Sequence, residues 1–506
     1  GETKMEERLN DQEQVRADKL AKYEELGIDP FGSRYDWEDQ IADLRAKYGE
    51  LTAEELTEKN IHVNVAGRLL AIRRMGKASF VNLQDEYGNI QGWIGMNIVG
   101  EEAYNVFKLA DLGDIVGLEG HLMKSRTGEL TVHVEKYTHI TKCLKPLPEK
   151  FHGLTDPEER YRHRYVDMIV NEDSRKIAIL RPRIMKEIRN YCDNLGFIEI
   201  ETPVLSPIAG GASARPFITH HNALDKDFFL RIATELNLKK AMIGGIDRVY
   251  EIGRIFRNEG IDTRHNPEFT TIELYQAYGD LQSMREWTEG LFKDIAEKVI
   301  GKQEVKWGDI TIDFSKPFRW ISMAEAIKEK TGVDFTENIS YEEAVALAKK
   351  HKVPLEKSWN STGYIMQAFF DEFVEKDLIQ PTFIHTYPIE VSPLTKKSPD
   401  PRFVERFEFF MGGFEFGNAY SELNNPYDQM ERFQAQLAAK GRGDEEANDI
   451  DHTFMDAMRY GMPPAGGIGV GIDRLCMLFS DVQNIREVIL FPTMKDSVAP
   501  KKAEDK

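Results

Sequence analysis

The residues with the clearest chemical potential lie in the stretch "FRNEGIDTRHNPEFTTIELYQAY", at positions 256–278. Its second half has the composition of a β-strand, and alternation along a strand places Phe269, Glu273 and Tyr275 on one face. Arg257 ends a preceding strand, joined to the second by a long loop, and a guanidinium group suits phosphate or carboxylate. The shared face is a ligand platform if it is buried and an ordinary wet sheet surface if it is exposed.

Acidic and polar side chains recur in "RFEFFMGGFEFGNAYSELN". Glu408 and Glu415 lie on either side of a Gly-Gly turn, so their carboxylates could converge on a hard cation, with Mg²⁺ beside a nucleotide phosphate as the usual occupant. The alternative is a pair of ordinary charges at a strand edge. Asn418, Tyr420 and Glu422 follow at a spacing of two and therefore share one face.

A run of glycines, "PPAGGIGVGIDRLCMLFSD", lies near the C-terminal end of the sequence. A dinucleotide-binding fingerprint is disfavoured because no βαβ unit follows it. The pattern instead predicts a strand of small residues that lets a flat ligand approach the backbone, followed by a helix that begins near Asp473. Arg474 in the first turn of that helix, together with free N–H groups, would meet phosphate.

The elements that come before these motifs indicate a separate β-domain. Five short alternating segments with one helix after the third, between residues 61 and 143, predict an OB-fold barrel, a module that commonly binds single strands. Phe80 lies beside Arg73, Arg74 and Lys77, which suits base stacking with phosphate contact. The alternative is that Phe80 belongs to the barrel core.

The remaining pattern predicts a larger α+β domain, an antiparallel sheet flanked by helices. A long helical segment closes at Gly196 and leads into the strand "FIEIETPVL", which Pro203 ends. We expect an N-terminal helical extension (1–60), the OB-fold domain (61–143), a linker (144–173), the sheet domain (174–500) with a helical insertion around 322–376, and a tail (501–506).

Bulk properties exclude several classes of protein. The 506 residues, 41% of them hydrophobic, can bury a large core, and no apolar run approaches the ~20 residues of a membrane helix. The polar start of the sequence and the absence of a signal-like segment predict a cytoplasmic protein. Cys143, Cys192 and Cys476 are too widely spaced to suggest a disulfide framework or a zinc site. The net charge of −19 argues against indiscriminate polyanion binding, although basic and acidic residues nearly balance within 61–150.

With these segments in view, the chain resembles the class II aminoacyl-tRNA synthetases, and within them the lysine-specific branch of bacterial type. "GFIEIETPVL" is similar to the first class motif, the stretch at 256–278 to the second, and "GIGVGIDRLCMLF" to the third. Each motif alone is modest evidence, but all three in this order are specific. "GGASARPFITHHNALD" and "FGNAYSELN" resemble lysine-specific members rather than aspartyl or asparaginyl relatives.

The resemblance implies roles for the nucleotide site. Arg257 and Arg474 would be the catalytic arginines, the first on the α-phosphate of ATP and the amino-acid carboxylate, the second on the γ-phosphate. Phe269 would stack on adenine, and Glu408 with Glu415 would hold Mg²⁺. The other residues implied to contact ATP are Glu259 and Asn266 near the base, and Arg264 and His265 near the outer phosphates.

The resemblance also implies a lysine pocket, an anticodon surface and a homodimer. Gly211 and Glu235 would contact the α-amino group, and the side-chain pocket would comprise Glu273, Tyr275, Asn418, Tyr420 and Glu422. Phe80 and Gln91, with Arg73 and Glu129, would contact the anticodon. Residues 174–203 would form the dimer interface.

The sequence departs from the family pattern in one segment and leaves rival functions open. Where the family often reads "RIAPELYLK", this chain has Thr234 and Asn237, which leaves the placement of Glu235 uncertain, and His265 could instead stabilise its loop. The predicted function is ATP- and Mg²⁺-dependent ligation of L-lysine to tRNA(Lys) through a lysyl-adenylate. Its rivals are an aspartate- or asparagine-specific enzyme of the same class, a relative that transfers lysine to protein, and a non-catalytic single-strand-binding regulator.

Overall fold

The computed structural model describes residues 10–148, 154–212, 214–357, 359–392, 394–441 and 450–495. The chain divides into two compact units, Gly1–Leu154 and Thr155–Lys506, at a point inside the predicted linker. The first residues of the predicted N-terminal extension and the predicted tail at 501–506 lie outside the described residues.

The first unit is a closed five-stranded barrel with helices before it and between its third and fourth strands. Its strands are β1 His62–Met75, β2 Ala78–Gln84, β3 Asn89–Gly95, β4 Ile115–Lys124 and β5 Leu130–Thr141, hydrogen-bonded in the order β1-β2-β3-β5-β4. Its helices are α1 Asp11–Glu25, α2 Ile41–Tyr48, α3 Ala53–Lys59, α4 Met96–Val99 and α5 Glu101–Lys108. The OB-fold prediction is therefore confirmed.

Alternation along the barrel strands separates an apolar interior from a polar outer surface. Val81 and Leu83 of β2 are buried, whereas Phe80 is half-buried on the other face of the strand. The alternative assignment of Phe80 to the barrel core is therefore wrong.

Within the predicted N-terminal extension, residues 37–57 do not form one helix. Gly49 ends α2, and the Thr52 side chain caps a backbone N–H at the start of the next helix, α3.

The second unit is built on an eight-stranded, mainly antiparallel sheet in the order β14-β15-β16-β17-β18-β11-β10-β6. Its strands are β6 Ile198–Glu199, β7 Leu205–Ser206, β8 Ile218–His221, β9 Lys226–Leu230, β10 Arg248–Phe256, β11 Glu268–Ala277, β12 Glu304–Trp307, β13 Ile310–Asp313, β14 Arg319–Ser322, β15 Thr382–Pro388, β16 Phe403–Met411, β17 Phe414–Ser421 and β18 Ala465–Gly471. The predicted antiparallel sheet is confirmed.

Helices flank this sheet and supply most of its buried partner surface. They are α6 Pro157–Arg162, α7 Arg164–Val170, α8 Glu172–Asn194, α9 Glu235–Ile243, α10 Leu281–Ile295, α11 Met323–Thr331, α12 Tyr341–His351, α13 Thr362–Phe373, α14 Pro426–Gly441, α15 His452–Arg459, α16 Ile472–Phe479 and α17 Ile485–Val488. Short turns at Asn222–Leu224, Glu375–Asp377 and Ile389–Val391 are 3-10 helical, and Ala296–Ile300 is a π-helical turn. Helices α11 to α13 pack with β15 around a hydrophobic core of their own.

One predicted strand is shorter than expected. In "FIEIETPVL" only Ile198–Glu199 pairs with the large sheet, parallel to β10, and Leu205–Ser206 joins the small sheet β7-β9-β8 instead. Pro203 lies between the two pieces, and a proline cannot donate to a strand ladder. Gly196, with φ of 78°, provides the left-handed turn that ends α8 and redirects the chain.

The barrel core offers a direct test of its packing. Leu118 on β4 is fully buried, so Leu118→Ala should lower the free energy of opening of the barrel by about 2–5 kcal/mol through a cavity left behind. Hydrogen exchange at barrel amides, followed by mass spectrometry, measures this loss. Leu112→Ala, at a largely exposed side chain, should change protection little; an equal loss in both variants would contradict the assigned interior.

Candidate active site

A cavity of about 520 Å³ opens on the large sheet of the second unit, on the face formed by β11, β17 and β18. It brings together almost all the residues that the sequence indicated for nucleotide and lysine. Those that line it are Gly211, Glu235, Arg257, Glu259, Arg264, His265, Asn266, Phe269, Glu273, Tyr275, Glu408, Glu415, Asn418, Tyr420 and Arg474. Glu422 is fully buried and does not line the cavity.

Strand alternation in β11 separates cavity from core. Phe269, Glu273 and Tyr275 line the cavity, whereas Ile272 and Leu274 on the opposite face are buried in hydrophobic core. The face of β11 that carries these three residues is therefore a wall of the cavity rather than an ordinary solvent-exposed surface.

One glycine of β18 is required by close packing at the cavity. A Cβ at Gly467 would lie 2.1 Å from Glu422 Oε1 and 2.4 Å from Tyr275 Cε1. A larger residue at this position would therefore displace the glutamate and the tyrosine.

The start of α16 is anchored by a buried carboxylate. Asp473 accepts a hydrogen bond from the backbone N–H of Thr270 (2.7 Å) and another from Arg181 Nη1 (2.6 Å). These bonds tie the helix to β11 and α8 and orient the next residue. Arg474 Nη1 donates to the Glu415 backbone carbonyl (2.7 Å), so its guanidinium lies at the cavity edge. Sequence reasoning did not identify Arg181, which lies far away in the chain.

Arg257 and Phe269 form the central part of the cavity wall. The Arg257 guanidinium carbon lies 5.2 Å from the centre of the Phe269 ring. Its Nε atom is buried and has no hydrogen-bond acceptor among the described residues, so it is a desolvated donor that an anionic ligand could satisfy.

The loop between β10 and β11 is held by its own hydrogen bonds. Asp262 accepts from the backbone N–H of Arg264 (2.6 Å) and of His265 (2.8 Å), and it contacts His265 Nδ1 (2.9 Å). His265 therefore stabilises its loop as well as lining the cavity. Asn266 is buried, and its side-chain amide donates to the Glu268 carbonyl (2.7 Å).

An ion cluster lies behind one end of the cavity, and its lysine was missed by sequence reasoning. Lys239 Nζ is fully buried, 2.5 Å from Glu235 Oε1 and 2.5 Å from Glu422 Oε2. Burial opposes the charged form of Lys239, but the two glutamates outweigh it and raise the lysine pKa. The available signal was the spacing of four between Glu235 and Lys239, which puts both on one side of α9.

Two carboxyl groups at this end have strongly raised pKa values. Burial raises the pKa of Glu273 to about 7, and the negative charge of Glu235 adds to the effect. Burial also raises the pKa of Glu422 to about 8, although Lys239 opposes the shift. In both groups, removal from water favours the neutral carboxyl form.

The departure at Thr234 has a structural consequence. The backbone N–H of Thr234 donates to Glu273 Oε1 (3.2 Å), and Tyr275 OH donates to Glu273 Oε2 (3.3 Å). A proline at position 234 has no N–H and could not make the first bond. Threonine therefore adds a contact to the carboxylate, and Glu235 still begins α9 and lines the cavity.

The opposite end of the site contains Glu408 and Glu415. Glu408 forms an ion pair with Arg406 and accepts a hydrogen bond from Tyr387 OH (2.9 Å). Burial raises the pKa of Glu415 to about 7, and the charge of Glu408 adds to it. Two neighbouring carboxylates in a cavity suit a divalent cation. Arg406 was also missed, although it precedes Glu408 by two residues on the same strand.

The first unit holds the four residues predicted to contact the anticodon. Arg73 and Phe80 are directly opposed on β1 and β2, with the guanidinium carbon 5.1 Å from the ring centre. Gln91 accepts a hydrogen bond from Thr131 Oγ1 (3.0 Å), and Glu129 forms an ion pair with Arg45 (2.6 Å).

Comparison with known proteins agrees with this architecture. Residues 156–495 match the family described as tRNA synthetases class II (D, K and N), and residues 63–140 match the OB-fold nucleic acid binding domain. The chain belongs to the class II tRNA synthetase family.

Individual relatives of the chain indicate which branch of the family it resembles. A lysine–tRNA ligase of Streptococcus suis is 54% identical over 490 residues, covering 97% of this chain and 99% of the relative. A lysine–tRNA ligase of Streptococcus pneumoniae is 53% identical over 494 residues, covering 97% and 100%. The lysine-specific resemblance is thereby confirmed. Among the described residues, no helix has the length and apolar character needed to cross a membrane.

The raised pKa of Glu273 predicts a pH dependence of stability. A carboxyl group whose pKa rises from 4.5 in the unfolded chain to about 7 in the folded chain stabilises the fold at low pH, and this stabilisation is lost as the pH rises through that window. Without ligands, the wild-type protein should therefore lose thermal stability between about pH 5 and pH 8 more steeply than Glu273→Gln. Glu268→Gln, at an exposed position of the same strand, should follow wild type; three identical slopes would refute the assignment.

Proposed function

We propose that this protein attaches L-lysine to the 3′ end of tRNA(Lys), using ATP and passing through a lysyl-adenylate. The observation that carries the proposal is the charge composition of the cavity end at α9. Three carboxylates, of Glu235, Glu273 and Glu422, are matched by one ammonium group, of Lys239. With all three ionised, two of the negative charges have no matching ammonium group in this cluster, and free lysine carries two ammonium groups.

The positions of these groups support distinct roles for the two ends of lysine. Glu235, at the start of α9 near Gly211, is the partner for the α-ammonium group. Glu273 on β11, with Tyr275 and Asn418, is the partner for the ε-ammonium group, and Glu422 acts from behind the wall through its charge. An aspartate or asparagine substrate would leave these carboxylates without counter-ions and is disfavoured.

The reaction needs positive charge rather than a general base. The lysine carboxylate is already ionised and attacks the α-phosphorus of ATP in line, forming the acyl–phosphate bond and breaking the bond to the pyrophosphate leaving group. Arg257 would hold both anions in place, and Arg474 would bind the γ-phosphate. Phe269 would stack on adenine. Glu408 and Glu415 would hold Mg²⁺, which offsets phosphate charge when bound.

In the second step the lysyl group passes to a hydroxyl of the terminal ribose of tRNA. The hydroxyl oxygen forms the ester bond to the lysyl carbonyl carbon, the acyl–phosphate bond breaks, and AMP leaves with the hydroxyl proton on its phosphate. Contacts by Arg73, Phe80, Gln91 and Glu129 would select the tRNA through its anticodon.

We further propose a cytoplasmic homodimer whose interface includes residues 174–203. Support comes from exposed apolar side chains at and just beyond the end of α8, Leu195 and Ile198. We retain the proposed domain bounds, with the OB-fold domain at 61–143 and the sheet domain at 174–500.

Exchange of pyrophosphate into ATP, measured with each of the twenty amino acids, tests the function. Only lysine should support exchange, and equal exchange with aspartate or asparagine would refute the proposal.

Lys239→Met should raise the KM for lysine by about tenfold or more, because Glu235 and Glu422 lose their orienting partner, with little change in the KM for ATP. A parallel rise in both KM values would mean that the variant only loosens the fold.

The anticodon role of Phe80 is tested separately. Phe80→Ala should raise the KM for tRNA(Lys) by about 5- to 100-fold, the loss of one stacked base, and leave lysine-dependent exchange unchanged. Phe80→Tyr keeps an aromatic ring and should retain most of the affinity. An unchanged KM for Phe80→Ala would place the anticodon contact elsewhere.

A further inference from the structure

The outer face of the barrel carries a row of histidines that the proposed function does not use. His62 on β1 is directly opposed to His121 on β4, and His121 is directly opposed to His133 on β5. The neighbours of these residues along each strand, such as Val63, Leu122 and Val132, are buried, so the three imidazoles share the outer face.

A carboxylate completes the group. Glu135 follows His133 by two residues on β5, and its Oε1 lies 2.8 Å from His121 Nδ1. Its other oxygen lies 3.9 Å from His62 Nε2. One ligand atom from each of His121, His133 and Glu135 lies within 4.8 Å of the other two.

A tetrahedral metal site needs a somewhat closer spacing. Bonds of about 2.0–2.1 Å from Zn²⁺ to nitrogen and oxygen place ligand atoms roughly 3.4 Å apart. Binding would therefore draw the side chains together, on strands whose pairing already places the four residues side by side. The His121 and His133 rings stack with centres 4.6 Å apart, and Trp93 stacks on His133 at 4.9 Å, which limits the rotation of the latter ring.

From this arrangement we propose that His62, His121, His133 and Glu135 bind a divalent transition-metal ion of the Zn²⁺ class on the barrel surface. Three imidazoles and one carboxylate match the ligand preferences of Zn²⁺ and not those of Mg²⁺, which favours oxygen ligands. The ion joins β1 to β4, the pairing that closes the barrel, and β4 to β5. Its expected consequence is a more stable barrel in the presence of metal.

The alternative is that His121 and Glu135 form only a hydrogen bond on a polar surface. Calorimetric titration of the full chain with ZnCl₂, in excess Mg²⁺ to occupy oxygen-rich sites, distinguishes the two. Wild type should bind one equivalent that the double variant His121→Asn/His133→Asn lacks. Glu135→Gln, which keeps the shape of the side chain, should weaken the same site by about tenfold or more.

Matched controls separate this result from general loss of structure and from the proposed synthetase activity. His452→Asn, at an exposed histidine of the other unit, should titrate like wild type. All variants should retain lysine-dependent pyrophosphate exchange and, without zinc, the melting temperature of wild type. The proposal is overturned if wild type takes up no Zn²⁺, or if the double variant binds as many equivalents with the same affinity.

Discussion

Charge that is removed from water must be matched by opposite charge, and this constraint shapes the centre of the second unit. Glu235 and Glu422 are buried, and Glu273 is partly buried beside them. Burial removes much of the hydration of their carboxylates. Lys239 supplies one counter-ion within the protein. Burial raises the pKa values of Glu273 and Glu422, because the single lysine does not balance all three acidic groups. In the proposed function, a ligand with two ammonium groups would complete the balance. Specificity would then follow from electrostatics in a confined space rather than from shape alone.

At the other end of the cavity the same constraint applies to the positive charge of arginine side chains. Arg257 and Arg474 supply positive charge there, and Arg406 forms an ion pair with Glu408. Burial and the charge of Glu408 raise the pKa of Glu415. Positive groups for the triphosphate and negative groups for the amino acid thus lie in one cavity. In the proposed function, their separation would orient lysine with its carboxylate toward the α-phosphate, which is the geometry that in-line attack requires.

Local sequence patterns predicted the barrel strands and one face of the active-site sheet. Alternation in β11 put Phe269, Glu273 and Tyr275 on one face, because side chains of a strand point in opposite directions by turns. The five barrel strands, and the helix after the third, followed from turn signals between short alternating runs. Pairing across the chain was less accessible: the ion cluster joins α9 to the end of β17, Asp473 binds Arg181 on α8, and the three barrel histidines lie on three different strands.

The sequence by itself determined the class of fold, the family and which residue types face the ligand, since these depend on periodicity and on motifs read along the chain. Only the tertiary structure decided that Glu422 lies behind the pocket wall with Lys239, and that Phe80 faces outward from the barrel. It also decided that the Thr234 N–H reaches Glu273. The physical reason is that burial and counter-ion distance are properties of packing between distant segments, and no local pattern encodes them.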